Sequence, residues 1–302
     1  MMKRTKRKSP GRKTSVRPKA FAVKQWFRGH FDFSWSDGRK WKMIILILIA
    51  AVICGGLLYW RANTIHGKYE GLSQQQTYAA NPYSSSAYYW KNGLKKYKDA
   101  NWTSRNGIDV SAYQGDVDWT KVKKAGISFV MIRAGYRGST NGTISVDKRF
   151  ESNMEGAEKA GLDVGVYFYS SAVSTEEAVE EAKWTLKQIQ HKGITMPVAF
   201  DMEEDSSSRT YKLSMTQKTK ITDAFCSIVK QNGYKPLIYG NPTWINNSLD
   251  LSYLTSYNLW IAHYTNETTF QHKYLMWQYS QSGKLPGITG TVDMDILMVQ
   301  AG

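Results

Sequence analysis

The stretch Pro197-Val198-Ala199-Phe200-Asp201-Met202-Glu203 opens as a buried strand does and closes on carboxylates. Glu204 and Asp205 follow at once, so four acids crowd five positions. Side chains alternate between the faces of a strand, which puts Asp201 and Glu203 on one face. Seven other short β-rich runs share this character: 107–111, 128–135, 163–170, 236–240, 259–264, 274–280 and 291–297. Helical patterns over 118–126, 147–161, 175–192 and 214–233 separate the earlier runs. The last two or three runs follow one another with little helix between them. Strand–helix alternation with eight strands predicts an α/β protein built as an irregular β/α (TIM-like) barrel. An open doubly wound sheet is the second architecture considered. No Gly-rich dinucleotide fingerprint follows the first run, which disfavours it.

In such a barrel the carboxyl ends of the strands converge on one face, where chemistry is done. Three runs deliver acids there: Asp109 on the first, Asp201 and Glu203 on the fourth, Asp293 and Asp295 on the eighth. Closure makes the first and eighth strands neighbours, so Asp109 is expected beside Asp293, across the mouth from Asp201 and Glu203. Carboxylates held close raise one another's pKa, and one can stay protonated as an acid. Paired carboxylates with aromatic platforms are the equipment of glycoside hydrolysis. Glu204 and Asp205 read as ordinary turn residues. His66, His191, His263 and His272 are scattered without metal-ligand spacing, and no Gly-x-Ser-x-Gly elbow occurs. Neither a metal nor another cofactor is expected.

The N-terminal third differs in kind. The chain's formal charge of +15 over 302 residues suggests nucleic acid, but residues 1–42 hold 14 Lys and Arg against 2 Asp. The remainder is nearly balanced, with 26 basic and 23 acidic residues. The basicity is therefore a tail, and no nucleic-acid reading module accompanies it. Residues 43–60, MIILILIAAVICGGLLYW, carry no charge and predict a transmembrane helix. No small-x-small cleavage pattern follows, which favours a retained anchor. The basic excess before the helix places residues 1–42 in the cytoplasm, near anionic lipids, and the rest outside a bacterial cell membrane. Cys54 lies in the apolar run and Cys226 beyond it, so no disulfide is expected within the exported part. Residues 61–105 are rich in Gln, Asn, Ser, Tyr and Lys and read as a polar extracytoplasmic spacer, with a short helix around 87–98. Residues 106–302 remain as the barrel.

The runs GIDVSAYQGDVDW, AGLDVGVYFYSSA, VAFDMEED, LWIAHY, MWQYS and VDMDI occur in that order from residue 107 onward. Together they resemble glycoside hydrolase family 25, the lysozymes that cut peptidoglycan at N-acetylmuramic acid. The resemblance implies a muramidase acting on peptidoglycan glycan strands at the β-1,4 bond to N-acetylglucosamine. It implies Glu203 as acid/base and Asp201 as nucleophile or as the carboxylate that orients the substrate's acetamide, usually with retention. Asp109 and Asp293 match two supporting acids of the pocket. Tyr113, Tyr169, Tyr239, Trp260, Tyr264 and Trp277 are candidate sugar-binding residues, with barrel packing the alternative for each. Two departures stand out. Many members carry Lys-x-Thr-Glu-Gly after the second strand, where this chain has IRAGYRG with Arg133, Tyr136 and Arg137. The last motif is often Val-Asp-Leu-Asn, and Asp295 stands here at the Asn position. A non-catalytic glycan-binding barrel and a wall-remodelling scaffold in a larger membrane assembly are the competing functions.

Overall fold

The computed structural model describes residues 44–57, 76–203 and 205–302. The chain divides into two units, Met1–Gly71 and Leu72–Gly302. In the first, a helix is described over residues 44–57. Among the described residues no helix is long and apolar enough to cross a membrane. The basic tail over 1–42 and the ends of the apolar run at 43 and 58–60 lie outside the described residues.

The second unit begins with a hairpin, β1 Tyr88–Lys91 and β2 Leu94–Tyr97. Asn92 and Gly93 turn it, both at positive φ (53° and 74°), as the tightest hairpins require. The main chain then runs β3 Trp102–Val110, α1 Trp119–Lys124, β4 Phe129–Arg137, β5 Ile144–Val146, α2 Phe150–Lys159 and β6 Asp163–Tyr169. It continues through α3 Thr175–Ile189, β7 Ile194–Asp201, α4 Met215–Gln231, β8 Pro236–Gly240, α5 Pro242–Ser248, β9 Asn258–Ala262, β10 Met276–Gly283 and β11 Val292–Gln300. All eight anticipated strands and all four anticipated helices are present, with shifted ends. Serines suited to the task start the two longest helices of this unit: Ser174 accepts from the Glu177 amide, and Ser214 forms a capping box with Gln217.

The sheet order β3-β11-β10-β9-β8-β7-β6-β4 closes on itself through a β3–β4 pairing, giving an eight-stranded barrel with β5 added at β4. Every pairing around the barrel is parallel except those of β11, which is antiparallel to both neighbours. The cause is length. Only residues 284–291 join β10 to β11, too few for the crossover that a parallel strand needs. Asp293 and Asp295 therefore lie near the start of the eighth strand, not at its carboxyl end as anticipated. The reversed direction brings that start to the same rim.

Alternation sorts the core into two parts. Met131, Tyr167, Ala199, Leu237, Tyr239, Trp260 and Met276 fill the barrel. Their sequence neighbours Ile132, Phe168, Phe200, Ile238, Ile261 and Trp277 face the surrounding helices and hairpin. At one end of β4, Arg137 faces outward. Its Nε donates to Glu181 Oε1 on α3 at 2.7 Å and its Nη1 to Gly142 O at 2.7 Å. Burial pushes the Glu181 carboxyl up to about 7 despite this partner and the Ser170 hydroxyl. Arg137→Met should cost about 3–5 kcal/mol, because it strands a buried carboxylate. Chemical unfolding should show a larger loss near about pH 8 than near about pH 5, where Glu181 can be neutralised by protonation.

The anticipated spacer over 61–105 differs from the structure across 76–105. This segment is packed, and the helix around 87–98 is instead the hairpin. Tyr78, Tyr83, Leu94 and Tyr97 are buried in the outer core. The Tyr78 hydroxyl donates to Tyr257 O at 2.6 Å and that of Tyr83 to Tyr274 O at 2.8 Å. Lys95 is almost wholly buried, with its Nζ 4.8 Å from the Trp277 ring centre and 4.9 Å from that of Trp90. Tyrosine explains why composition misled. It lowers the apolar count of a segment while burying a large ring and satisfying its hydroxyl on a backbone carbonyl.

Candidate active site

At the rim, register sets the carboxylates. Asp293 of β11 is paired directly with Asp109 of β3, as closure required. Asp201 is the last residue of β7, paired with Tyr169 on one side and Tyr239 on the other. Met202 turns outward into the core, and Glu203 points back toward the mouth just beyond the strand. Asp109, Asp201, Glu203 and Asp293 line one cavity of ≈ 640 Å³, together with Tyr113, Arg133, Tyr136, Tyr167, Tyr169, Tyr239, Trp260 and Gln278. A second cavity of ≈ 540 Å³, walled by Asn241, His263 and Tyr264, meets the first at Glu203 and Tyr239. The pair forms a groove with Glu203 near its middle, the shape a polymer needs.

Asp109 and Asp201 are buried, while Glu203 is open to solvent at the mouth. Loss of water around Asp201 raises its carboxyl well above the usual range, and the Glu203 charge adds to this. Arg133 opposes the shift. Glu203 is raised by the cleft walls first and then by the Asp293 charge. Burial brings Asp293 up to about 6. One oxygen of Asp201, Oδ1, is buried with no hydrogen-bond partner among the described residues. Asp205, by contrast, accepts from the Ser207 amide at 2.8 Å and from its hydroxyl at 2.7 Å, as a turn residue does. Glu204 lies outside the described residues.

The aromatic candidates divide. Tyr113, Tyr169, Tyr239, Trp260 and Tyr264 all line the groove. Trp277 does not. It lies on the outer face of β10 against the hairpin, its ring 5.1 Å from that of Tyr88. Arg133 faces the cleft, its Nε and Nη2 held by Asp147 Oδ2 at 2.8 and 2.7 Å. Its guanidinium carbon lies 5.1 Å from the Tyr113 ring centre and 5.5 Å from that of Tyr136. Arg137, as seen above, does not reach the site.

Three residues escaped the sequence reading. Gln278 accepts from the Tyr239 and Tyr264 hydroxyls at 3.0 and 2.7 Å and donates to Asp109 Oδ2 at 2.6 Å. Strand parity was its available signal, since Gln278 shares a face with Met276. Tyr167 lines the cleft by the same parity with Tyr169. Asp147 sits in a loop, where no periodicity marks it.

A family model described as glycosyl hydrolases family 25 matches residues 108–288. The chain is 29% identical over 194 residues to the uncharacterized protein YegX of Escherichia coli K12, covering 63% of this chain and 68% of that protein. It is 31% identical over 208 residues to lysozyme M1 of Streptomyces globisporus, covering 62% and 65% of the two chains. The crystal structure of the bacterial lysozyme from Streptomyces coelicolor superposes with a TM-score of 0.54 at 28% identity, over 63% of this chain and 90% of that one.

Proposed function

This chain belongs to glycosyl hydrolases family 25, and from that premise we propose that it is a muramidase cutting peptidoglycan between N-acetylmuramic acid and N-acetylglucosamine. The observation that carries this reading is the four-carboxylate groove, with Asp109, Asp201, Glu203 and Asp293 on one rim. Glu203 is the acid/base. Its raised pKa keeps a proton available for the glycosidic oxygen, and its open position gives it access to a departing sugar. With Glu203 protonated, its charge no longer opposes ionisation of Asp201, and Arg133 favours the Asp201 carboxylate, whose charge faces the cationic sugar ring at the transition state. The unpaired Oδ1 suits a substrate acetamide N–H, which favours orientation of that group over direct attack. Either route gives retention, with water completing the reaction under base catalysis by Glu203. Tyr113, Tyr169 and Tyr264 supply aromatic surface along the groove.

We further place the enzyme at a bacterial cell membrane, tethered through residues 43–60 with the barrel outside. Eighteen uncharged residues behind a strongly basic segment support this. Protease treatment of cells stripped of their wall should release the barrel and leave the tail protected. Digestion of the tail with the barrel spared would reverse the orientation.

The test of function is mass analysis of purified peptidoglycan digested by the full-length chain. Reducing-end muramic acid is the expected product. Reducing-end glucosamine or anhydro-muramic acid would mean another bond or another chemistry. A non-catalytic glycan-binding barrel would retain the polymer and release nothing.

The electrostatics give a pH prediction. The Asp293 charge opposes ionisation of Glu203. Asp293→Asn removes that repulsion, so Glu203 should lose its proton at lower pH. The alkaline limb of kcat/KM should move toward acid, whatever the change in maximal rate. A limb that stays in place would separate Asp293 from the acid.

A further inference from the structure

Asp295 is set one layer below the acids of the rim. It lies on the same inner face of β11 as Asp293, two residues on, and its register partner across the barrel seam is Gly107. Gly107 has no side chain, and none fits: a Cβ there would come within 2.2 Å of the Phe129 ring. The Phe129 ring takes that place, and the Asp295 carboxyl is in hydrogen-bonding contact with its diagonal neighbour Asp109. Asp295 is fully buried. The Trp260 indole N–H donates to its Oδ1 at 2.8 Å, while among the described residues no N–H or hydroxyl donor reaches its Oδ2. On the far side Gln278 donates to Asp109 Oδ2. Two carboxyls thus touch in a dry layer, each fixed from outside by one N–H donor.

We propose that Asp109 and Asp295 share a single proton, and that Asp295 is the positioning residue that holds the Asp109 carboxyl in place at the rim. Two ionised carboxylates in that layer would repel at close range, with one buried oxygen left unsatisfied. One proton between them turns the repulsion into a charge-assisted hydrogen bond and leaves the pair with one negative charge. No cation is needed to balance it. Around the pair stand Asp293 on the same strand, Tyr167 from β6, Tyr239 from β8, Tyr264 beyond β9 and Tyr279 from β10. Burial holds all four phenols neutral, and Arg133 is engaged by Asp147. Burial likewise brings Asp295 up to about 8. The proton belongs to the pair, not to one member. The catalytic part of this inference rests on the muramidase reading; the shared proton does not.

The two parts are separable in one pair of variants of the full-length chain. Asp295→Asn replaces the proton-sharing partner by an amide that donates in the same place, with the same net charge left on Asp109. It should fold and keep kcat and KM within a few-fold of the parent. Asp295→Ala removes the partner and should lower kcat by roughly tenfold to a hundredfold, the effect of losing one buried hydrogen bond to a charged group. Urea unfolding across pH reads the proton directly. From the free-Asp value of about 4 up to about 8, the folded pair keeps a proton that the unfolded chain has released, so stability falls as pH rises. Asp295→Asn should flatten that dependence by one proton. An unchanged slope would overturn the shared proton even if no substrate were ever cleaved. An Asp295→Asn protein that fails to fold, or that folds but is inactive beside an active parent, would overturn the positioning role.

Discussion

Glu203→Gln is expected to leave the barrel folded and to reduce hydrolysis by about 10²–10⁴-fold, the usual worth of general acid–base catalysis. Gln matches the shape of Glu but has no proton to give. The side chain stands just past the end of β7, open at the mouth and outside the core, so the substitution disturbs no packing. Unfolding curves should overlay those of the parent while glycan release is lost. Asp201→Asn should also be severe, since it removes charge facing the cationic transition state. Its cause differs, and so does its stability signature. Asp201 is buried with a raised carboxyl pKa, so neutralising it should stabilise the fold above the usual Asp range while destroying activity. Asp205→Asn, at a turn residue that is not among those lining the two cavities of the groove, serves as the control. Near-normal turnover by a folded Glu203→Gln protein would remove Glu203 from the role of acid.

The second large effect concerns the segment before the barrel. Comparing chains 76–302 and 102–302 should give a folded, active protein in the first case and an unfolded or aggregated one in the second. Cutting at 102 strips Tyr78, Tyr83, Leu94 and Tyr97 from the core and uncovers Trp277 and Tyr274. Each large buried side chain contributes about 1.5–3 kcal/mol. Net stabilities are only about 5–15 kcal/mol, so four such losses consume most of the margin. Thermal unfolding and size-exclusion profiles decide the matter. A cooperative, monomeric 102–302 fragment would show that the hairpin is ornament.

This is also where the sequence was least transparent. Residues 76–105 look polar because tyrosine hides apolar area behind a hydroxyl. Yet Trp90-Lys91-Asn92-Gly93-Leu94 carries the Asn-Gly turn signal, which outranks a weak helical pattern. The eight strands were legible because the barrel wall is buried on both sides, which forces dense β-branched and aromatic runs. Strand direction was not: the sense of β11 is decided by the shortness of 284–291, a length argument that residue character does not express. Parity carried Asp109, Asp201, Glu203 and Asp293 to one rim. The same parity, applied to β10, sends Trp277 outward and Gln278 inward. Asp147, which holds Arg133 from a loop, obeys no period and is visible only in three dimensions.

The β3–β11 seam has a mechanical meaning. It is bonded through eight register positions, from Asp293 and Asp109 at the rim to Gln300 and Trp102 at the base, and the Ala301 amide extends it to Asn101 O at 2.8 Å. Antiparallel bonds run across the strands, at right angles to their length. A force applied between residue 102 and the rim acts along β3, so it loads these bonds together in shear and does not peel them one by one. The barrel's first strand is thereby a tension member, stiff along the line from base to rim and weak against a force that pries the seam sideways.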